Sequence, residues 1–243
     1  MQKVQHCLDC KDVMKKRILI LFFLFSVSFV HGQIQNKLDK TYYLLGTLND
    51  YMGRVLCIKN PNDWDLIMSL HQRDSTKIKQ IEEVAMFKFI KKERNENCIN
   101  CHEFYILSAF DLAKEINSFY VFKKRGECQD ANRVSGIIYE GKLKCSKILK
   151  ASKEQQYSFM AGLFLTHGEK IGDVYKIILY NSPCRYKCTI KILKVLNSKN
   201  VLFRRTEGTV PIGYFIEFEP SEELKQILDY EIEKRDFFTN EKL

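Results

Sequence analysis

DVYKIILY, residues Asp173–Tyr180, is apolar on both of its alternations: Tyr175, Ile177 and Leu179 on one side, Val174, Ile178 and Tyr180 on the other. That pattern predicts a strand covered on both faces. Behind it, Tyr157, Met160, Ala161 and Phe164 fall on one helical face, and Gly168 is placed to end that helix. Ahead of it, Ser182-Pro183 restarts a helix with Tyr186, Ile190 and Leu193 on its core face. Val201–Arg205 and Pro211–Phe218 then read as strands, the second alternating cleanly through Ile212, Tyr214, Ile216 and Phe218. Glu219 to Ser221 cap a last helix, with Glu222 and Glu223 in its first turn and Leu224, Ile227 and Leu228 inward. The order α-β-α-β-β-α with short connections predicts a layered α/β or α+β domain, a mixed sheet with packed helices.

The N-terminal half is less regular. Asn60-Pro61-Asn62-Asp63 has the chemistry of a helix start, and Trp64, Ile67, Met68 and His71 follow at helical spacing. Ile78 to Ile90 fits a helix or a strand, because periodicity alone does not separate short apolar runs. From Tyr105, the series Ala109, Leu112, Ile116, Phe119 predicts a helical stripe, and Arg133 to Ile148 predicts two short strands around Glu140-Gly141. No internal repeat is legible, and no low-complexity linker divides the chain.

The compartment governs how the cysteines are read. Met14-Lys15-Lys16-Arg17 leads into thirteen uncharged residues, Ile18 to Val30, and then into Val30-His31-Gly32-Gln33. Basic, apolar, then small is the order of a secretory signal, and thirteen residues are too few to span a bilayer core. The expectation is export to the periplasm or exterior of a Gram-negative-type bacterium, with Met14 as the true start. Residues 1–32 form an extension plus signal peptide. Residues 33–243 are expected to form one mixed α/β domain, divisible near 126–150, with no membrane span. Loss of five Lys/Arg and two Asp/Glu with that segment takes the net charge from +9 to +6. Basic residues spread along the chain read as a solvated surface rather than a nucleic-acid footprint.

The mature chain keeps Cys57, Cys98, Cys101, Cys128, Cys145, Cys184 and Cys188. In an oxidising compartment these are disulfide candidates. Cys184 and Cys188, four apart on a predicted helix, sit too far apart to bridge each other and are free to reach different elements. The motif Cys98-Ile99-Asn100-Cys101-His102 has the spacing by which haem is covalently attached, two thioethers and an adjacent imidazole. The sixth ligand is not singled out, and the surroundings read as mixed α/β rather than as a helical haem wrapper. A zinc site joining Cys98 and Cys101 to Cys184 and Cys188 lacks the compact spacing of ordinary zinc modules.

Other catalytic patterns are absent: G-x-S-x-G, H-E-x-x-H, the phosphate-binding loop and G-x-G-x-x-G do not occur. His167 sits at a predicted helix end, where a cation is favourable, and lacks a third group that would make it half of a Cys–His pair. The sequence therefore predicts an exported, disulfide-containing binding protein. Its partner would be another exported protein or an anionic envelope component, not nucleic acid. No cofactor, metal or catalytic residue is expected. The alternative is a monohaem electron carrier built on Cys98, Cys101 and His102.

Overall fold

The computed structural model describes residues 38–58, 65–71, 74–92, 104–129 and 135–240. The segment expected to be a signal peptide, the expected helix start at Asn60–Asp63 and the motif Cys98, Cys101 and His102 lie outside the described residues. Leu38–Leu243 form one compact unit.

Two helices make its centre. Helix α1 (Lys40–Thr47) is buried from Thr41 to Thr47, and α5 (Lys153–His167) is buried from Ser158 to Leu165. A helix apolar on every side has to lie inside a domain. Each has a side-chain N-cap. Asp39 accepts from the Tyr42 amide at 3.1 Å, and Ser152 and Gln155 form a reciprocal capping box. The helices run parallel. Near their N-terminal ends the Asp39 amide donates to Ser158 Oγ and Gln155 Nε2 to Asp39 Oδ2. At their C-terminal ends Thr166 Oγ1 donates to the Thr47 carbonyl.

Glycine sets how closely they approach. A Cβ on Gly46 would sit 2.2 Å from the Phe159 carbonyl oxygen and 2.7 Å from the Leu163 nitrogen. One on Gly162 would sit 2.0 Å from the Tyr43 carbonyl oxygen and 3.1 Å from the Thr47 nitrogen. Each glycine therefore meets the residues three before and one after the other glycine. That reciprocity is the signature of a local two-fold relation between the helices.

The relation extends to the strands. After α1 come β1 (Arg54–Ile58), β2 (Leu66–His71), α2 (Ser75–Ala85), β3 (Ile90–Lys92), β4 (Phe104–Ser108), α3 (Phe110–Asn117), β5 (Tyr120–Gln129), β6 (Ser135–Leu143) and α4 (Cys145–Leu149). After α5 come β7 (Gly168–Ile171), β8 (Val174–Tyr180), α6 (Pro183–Val195), β9 (Lys199–Arg205), β10 (Gly213–Glu219) and α7 (Glu222–Asn240). The sheets have orders β1-β6-β5 and β7-β8-β10-β9, all antiparallel. In the first half one strand, a helix and two strands of the main sheet follow the central helix; in the second half two strands, a helix and two strands do, and in both the last strand lies inside the sheet. The third sheet, β2-β4-β3, with α2, is an insertion in the first half. The fold is a mixed α+β one, as the sequence predicts. Its repeat is one of topology, which a search for repeated residues does not detect.

Several local expectations are corrected. Leu66–His71 is a strand, not a helix; it pairs with β4 through a bulge between Leu66 and Met68, which offsets the strict alternation that would have marked it. Tyr105 lies in β4, and the stripe that starts there is helical only over α3. Ser135–Leu143 is one strand running through Glu140-Gly141, and Gly141 marks a close approach: a Cβ there would meet the Phe122 ring at 2.6 Å. Ile78–Ala85 is helical, ended by Met86 in the left-handed region at φ 57°. Strand β8 is covered on one face only, with Tyr175, Ile177 and Leu179 inward. Helix α6 is rotated from its expected face and buries Arg185, Cys188, Thr189, Ile192 and Leu193.

Candidate functional site

The parallel pair brings two helix C-termini to one end, where unpaired carbonyls and aligned dipoles concentrate partial negative charge. Arg185 of α6 answers it. Its Nη1 donates to the Leu45 and Gly46 carbonyls at 3.0 and 2.9 Å, and its Nη2 to Asp50 Oδ2 at 2.7 Å. Asp50 also accepts from Tyr120 Oη at 2.8 Å, and its carbonyl accepts from Ser182 Oγ at 2.6 Å. Burial, with the Asp50 charge next, holds the Tyr120 hydroxyl well above the usual phenol range, so it stays a donor. Arg54 lies beside this network. It donates to Asn117 Oδ1 and the Ile67 and Leu66 carbonyls, and burial lowers its pKa. The carboxylate at this end is thus committed to structure. Among the described residues no group of three or more His, Cys, Asp or Glu side chains is arranged to hold a metal ion.

A cavity of about 520 Å³ opens beside the network, walled by the turn Tyr51–Gly53, the end of β6, the start of α6, and Ile212 and Tyr214. Cys184, exposed, lines it.

His167, expected at a favourable cationic position, is mostly buried. Burial, with Arg185 and Lys77 adding, pulls its pKa down to about 3, and its Nε2 has no hydrogen-bond partner in the protein. It is neutral; Arg185 serves the carbonyls at the end of α1, and Arg235 donates to the Gly168 carbonyl just past the end of α5.

Of the cysteines, Cys57 is bonded to Cys128 between β1 and β5. Cys145, Cys184 and Cys188 are free thiols. Cys184 and Cys188 point to different surroundings, with Cys188 against Cys145 of α4. Cys98, Cys101 and His102 lie outside the described residues.

The charge distribution carries what residue-by-residue reading missed. Residues 141–153 contain Lys142, Lys144, Lys147, Lys150 and Lys153 and no acid, and residues 174–206 likewise contain no acid. The fold packs these two stretches together, α4 against α6. Lys147 of α4, Lys144 and Lys150 at its two ends, and Lys187, Lys191 and Lys194 of α6 are all exposed, while Lys144 and Lys147 also donate to the Ser118 carbonyl and hydroxyl. The α6 lysines step by four and three, one stripe of the helix. Arg205 of β9 extends the face beside Tyr186, whose ring also meets Phe203 and Tyr214 at 6.3 and 4.7 Å. The signal was legible as two acid-free runs, but their juxtaposition was not.

No known protein family matches this sequence, and no curated protein does. Solved structures with a similar chain path include those of the homing endonuclease I-DmoI. One set of mesophilic variants is 10% identical, with a TM-score of 0.48 over 79% of this chain and 93% of that one. A variant in complex with its target DNA and Mg is 11% identical, with a TM-score of 0.48 over 82% and 95%. A complex with DNA and Mn is 11% identical, with a TM-score of 0.44 over 79% and 93%. These are structures of a homing endonuclease, two of them in complex with DNA, not of a secreted binding protein or a cytochrome. On that finding three expectations are corrected: the exported interaction protein with its signal peptide, the monohaem carrier on Cys98, Cys101 and His102, and the exclusion of nucleic acid as a partner.

Proposed function

We propose that the chain binds duplex DNA through the lysine face of α4 and α6. One observation carries the reading: two stretches without a single acid fold onto one another and expose their lysines together. Such a surface suits a polyanion whose charges repeat along a backbone, because each neutralised phosphate releases condensed counterions. Lysines of this kind position a duplex without reading its sequence. The edge strand β9 adds Arg204 and Arg205 beside exposed Leu202 and Phe203. Paired with β10, it is a ribbon of the width that a major groove admits. Asp50 is held by Arg185 and Tyr120, so the arrangement supports binding rather than cleavage.

Fluorescence anisotropy with a mixed-sequence DNA duplex tests this. Four phosphate contacts predict a loss of about a hundredfold in affinity between 50 and 200 mM salt. Changing Lys187, Lys191 and Lys194 to Gln lowers the log–log salt slope by about 2.7. Binding that ignores salt, or that the triple variant leaves unchanged, overturns the reading. A marked preference for duplex RNA overturns the choice of DNA. Supercoiled plasmid incubated with Mg²⁺ stays intact; linear product overturns the non-cleaving assignment.

A further inference from the structure

DNA binding through the lysine face leaves the cavity of about 520 Å³ unused. That volume falls within the range of about 300–1,000 Å³ typical of small-molecule sites. Its wall is largely apolar, with Met52, Leu143, Val210, Ile212 and Tyr214 lining it. Met52 is 66% exposed and Val210 93%, so large apolar side chains stand open to water where an apolar occupant would cover them. The wall is also tied together. Asn181 holds a left-handed conformation at φ 46° through bonds to two sides of the cavity. Its amide donates to the Ile212 carbonyl at 2.9 Å, its Oδ1 accepts from the Ile212 amide at 2.8 Å, and its carbonyl accepts from the Met52 amide at 2.9 Å. The turn at Met52, the head of α6 and the segment at Ile212 are thus fixed to one another before anything binds.

The polar part of the wall suits an anion. Both of its acids are already paired, Asp50 with Arg185 and Glu140 with Arg125. Lys142 adds a cation. Helix α6, thirteen residues long, starts here with no acid in its first turn and no side-chain cap, because Ser182 Oγ donates to the Asp50 and Tyr180 carbonyls instead. Its uncapped amides and its dipole favour negative charge. Arg185, 1% exposed, also lines the cavity, and its Nε has no partner among the described residues. We propose that the cavity binds a small monocarboxylate with an apolar tail, of the medium-chain fatty-acid type. The tail lies against Met52, Leu143 and Ile212, and the carboxylate sits at the start of α6 beside Lys142.

Isothermal titration of the full chain with octanoate tests this, with 1-octanol as the neutral probe of equal chain length. Octanoate should bind once per chain, with a Kd on the order of 100 µM or tighter and a negative heat-capacity change. Octanol should bind at least about tenfold more weakly. Cys184→Phe fills the cavity from an exposed position and should weaken both probes by more than about tenfold. Lys142→Glu, also exposed, turns an attraction into a repulsion and should weaken octanoate by about tenfold while leaving octanol unchanged. Thermal melts of both variants check that the fold is kept. Absence of octanoate binding, equal binding of octanol, more than one octanoate per chain, or wild-type affinity in either variant overturns the proposal. The titration contains no DNA, so its result stands apart from whether DNA binds.

Discussion

Replacing Gly162 with Ala tests the centre of the fold. The new Cβ would stand 2.0 Å from the Tyr43 carbonyl oxygen and 2.9 Å from its carbon. Both obstacles are backbone, so no side chain can turn aside. Reaching an ordinary contact requires α1 and α5 to part by more than about 1 Å, a gap that forfeits a quarter to a half of each dispersion contact across it. Taking about 40 such contacts for a buried Leu-sized side chain at about 0.15 kcal/mol each, one side chain loses about 1.5–3 kcal/mol. Two such side chains on this interface, Leu44 and Leu163 being fully buried, give a loss of about 3–6 kcal/mol. The better helix propensity of Ala returns about 1 kcal/mol, which leaves a net destabilisation of about 2–5 kcal/mol. Urea titration at constant m measures it. Gly126→Ala, where nothing lies within 4 Å, is the control and should change stability little. Gly46→Ala should resemble Gly162→Ala, and the double variant should cost less than the sum, since one separation relieves both clashes. A Gly162→Ala protein within about 0.5 kcal/mol of wild type would refute the backbone-contact argument.

Glu231 is fully buried, accepts from Tyr43 Oη at 2.9 Å, and is pushed up to about 7 by desolvation. Its folded pKa exceeds the unfolded one, so stability is greatest below about pH 4.5 and falls as pH rises towards 7, by up to about 3 kcal/mol from this group. Glu231→Gln should flatten that fall in urea midpoints taken from pH 5 to pH 8; an unchanged profile would count against it. His167 acts in the opposite sense: its folded pKa of about 3 lies below the ordinary 6.5, so its contribution is lost as pH drops through that window. A His167→Gln chain should therefore lose less stability than wild type between pH 6.5 and pH 4. Reducing Cys57–Cys128, which spans 71 residues, should lower stability by about 2–4 kcal/mol, read as a fall in Tm on adding reductant.

The C-terminal half was legible because its elements obey one period each. Tyr214, Ile216 and Phe218 alternate into the core, and Pro183 opens α6 where its missing amide costs nothing. The first half was harder to read because a bulge breaks the phase of β2 and a glycine runs through the middle of β6. The candidate site was less legible still. Arg185 in a lysine-rich helix reads as a solvated charge; only the arrival of α1 turns it inward to serve the Leu45 and Gly46 carbonyls. Gly46 and Gly162 carry no signal of their role in the sequence, since each meets a backbone more than a hundred residues away. The lysine face needed both acid-free runs to be placed side by side, which depends on tertiary packing of α4 on α6.

The reciprocal contact of Gly46 and Gly162 also sets an order of events during synthesis. The first half leaves the ribosome before α5 exists, and α1 then presents a bare backbone strip and the buried side chains around it to solvent. That half has a sheet but no second wall. It must wait, open and prone to association, until residues 153–167 emerge to lie parallel to it. A ribosome pausing between α4 and α5 would lengthen that exposure, and a chaperone that recognises apolar helix faces would find a substrate in α1.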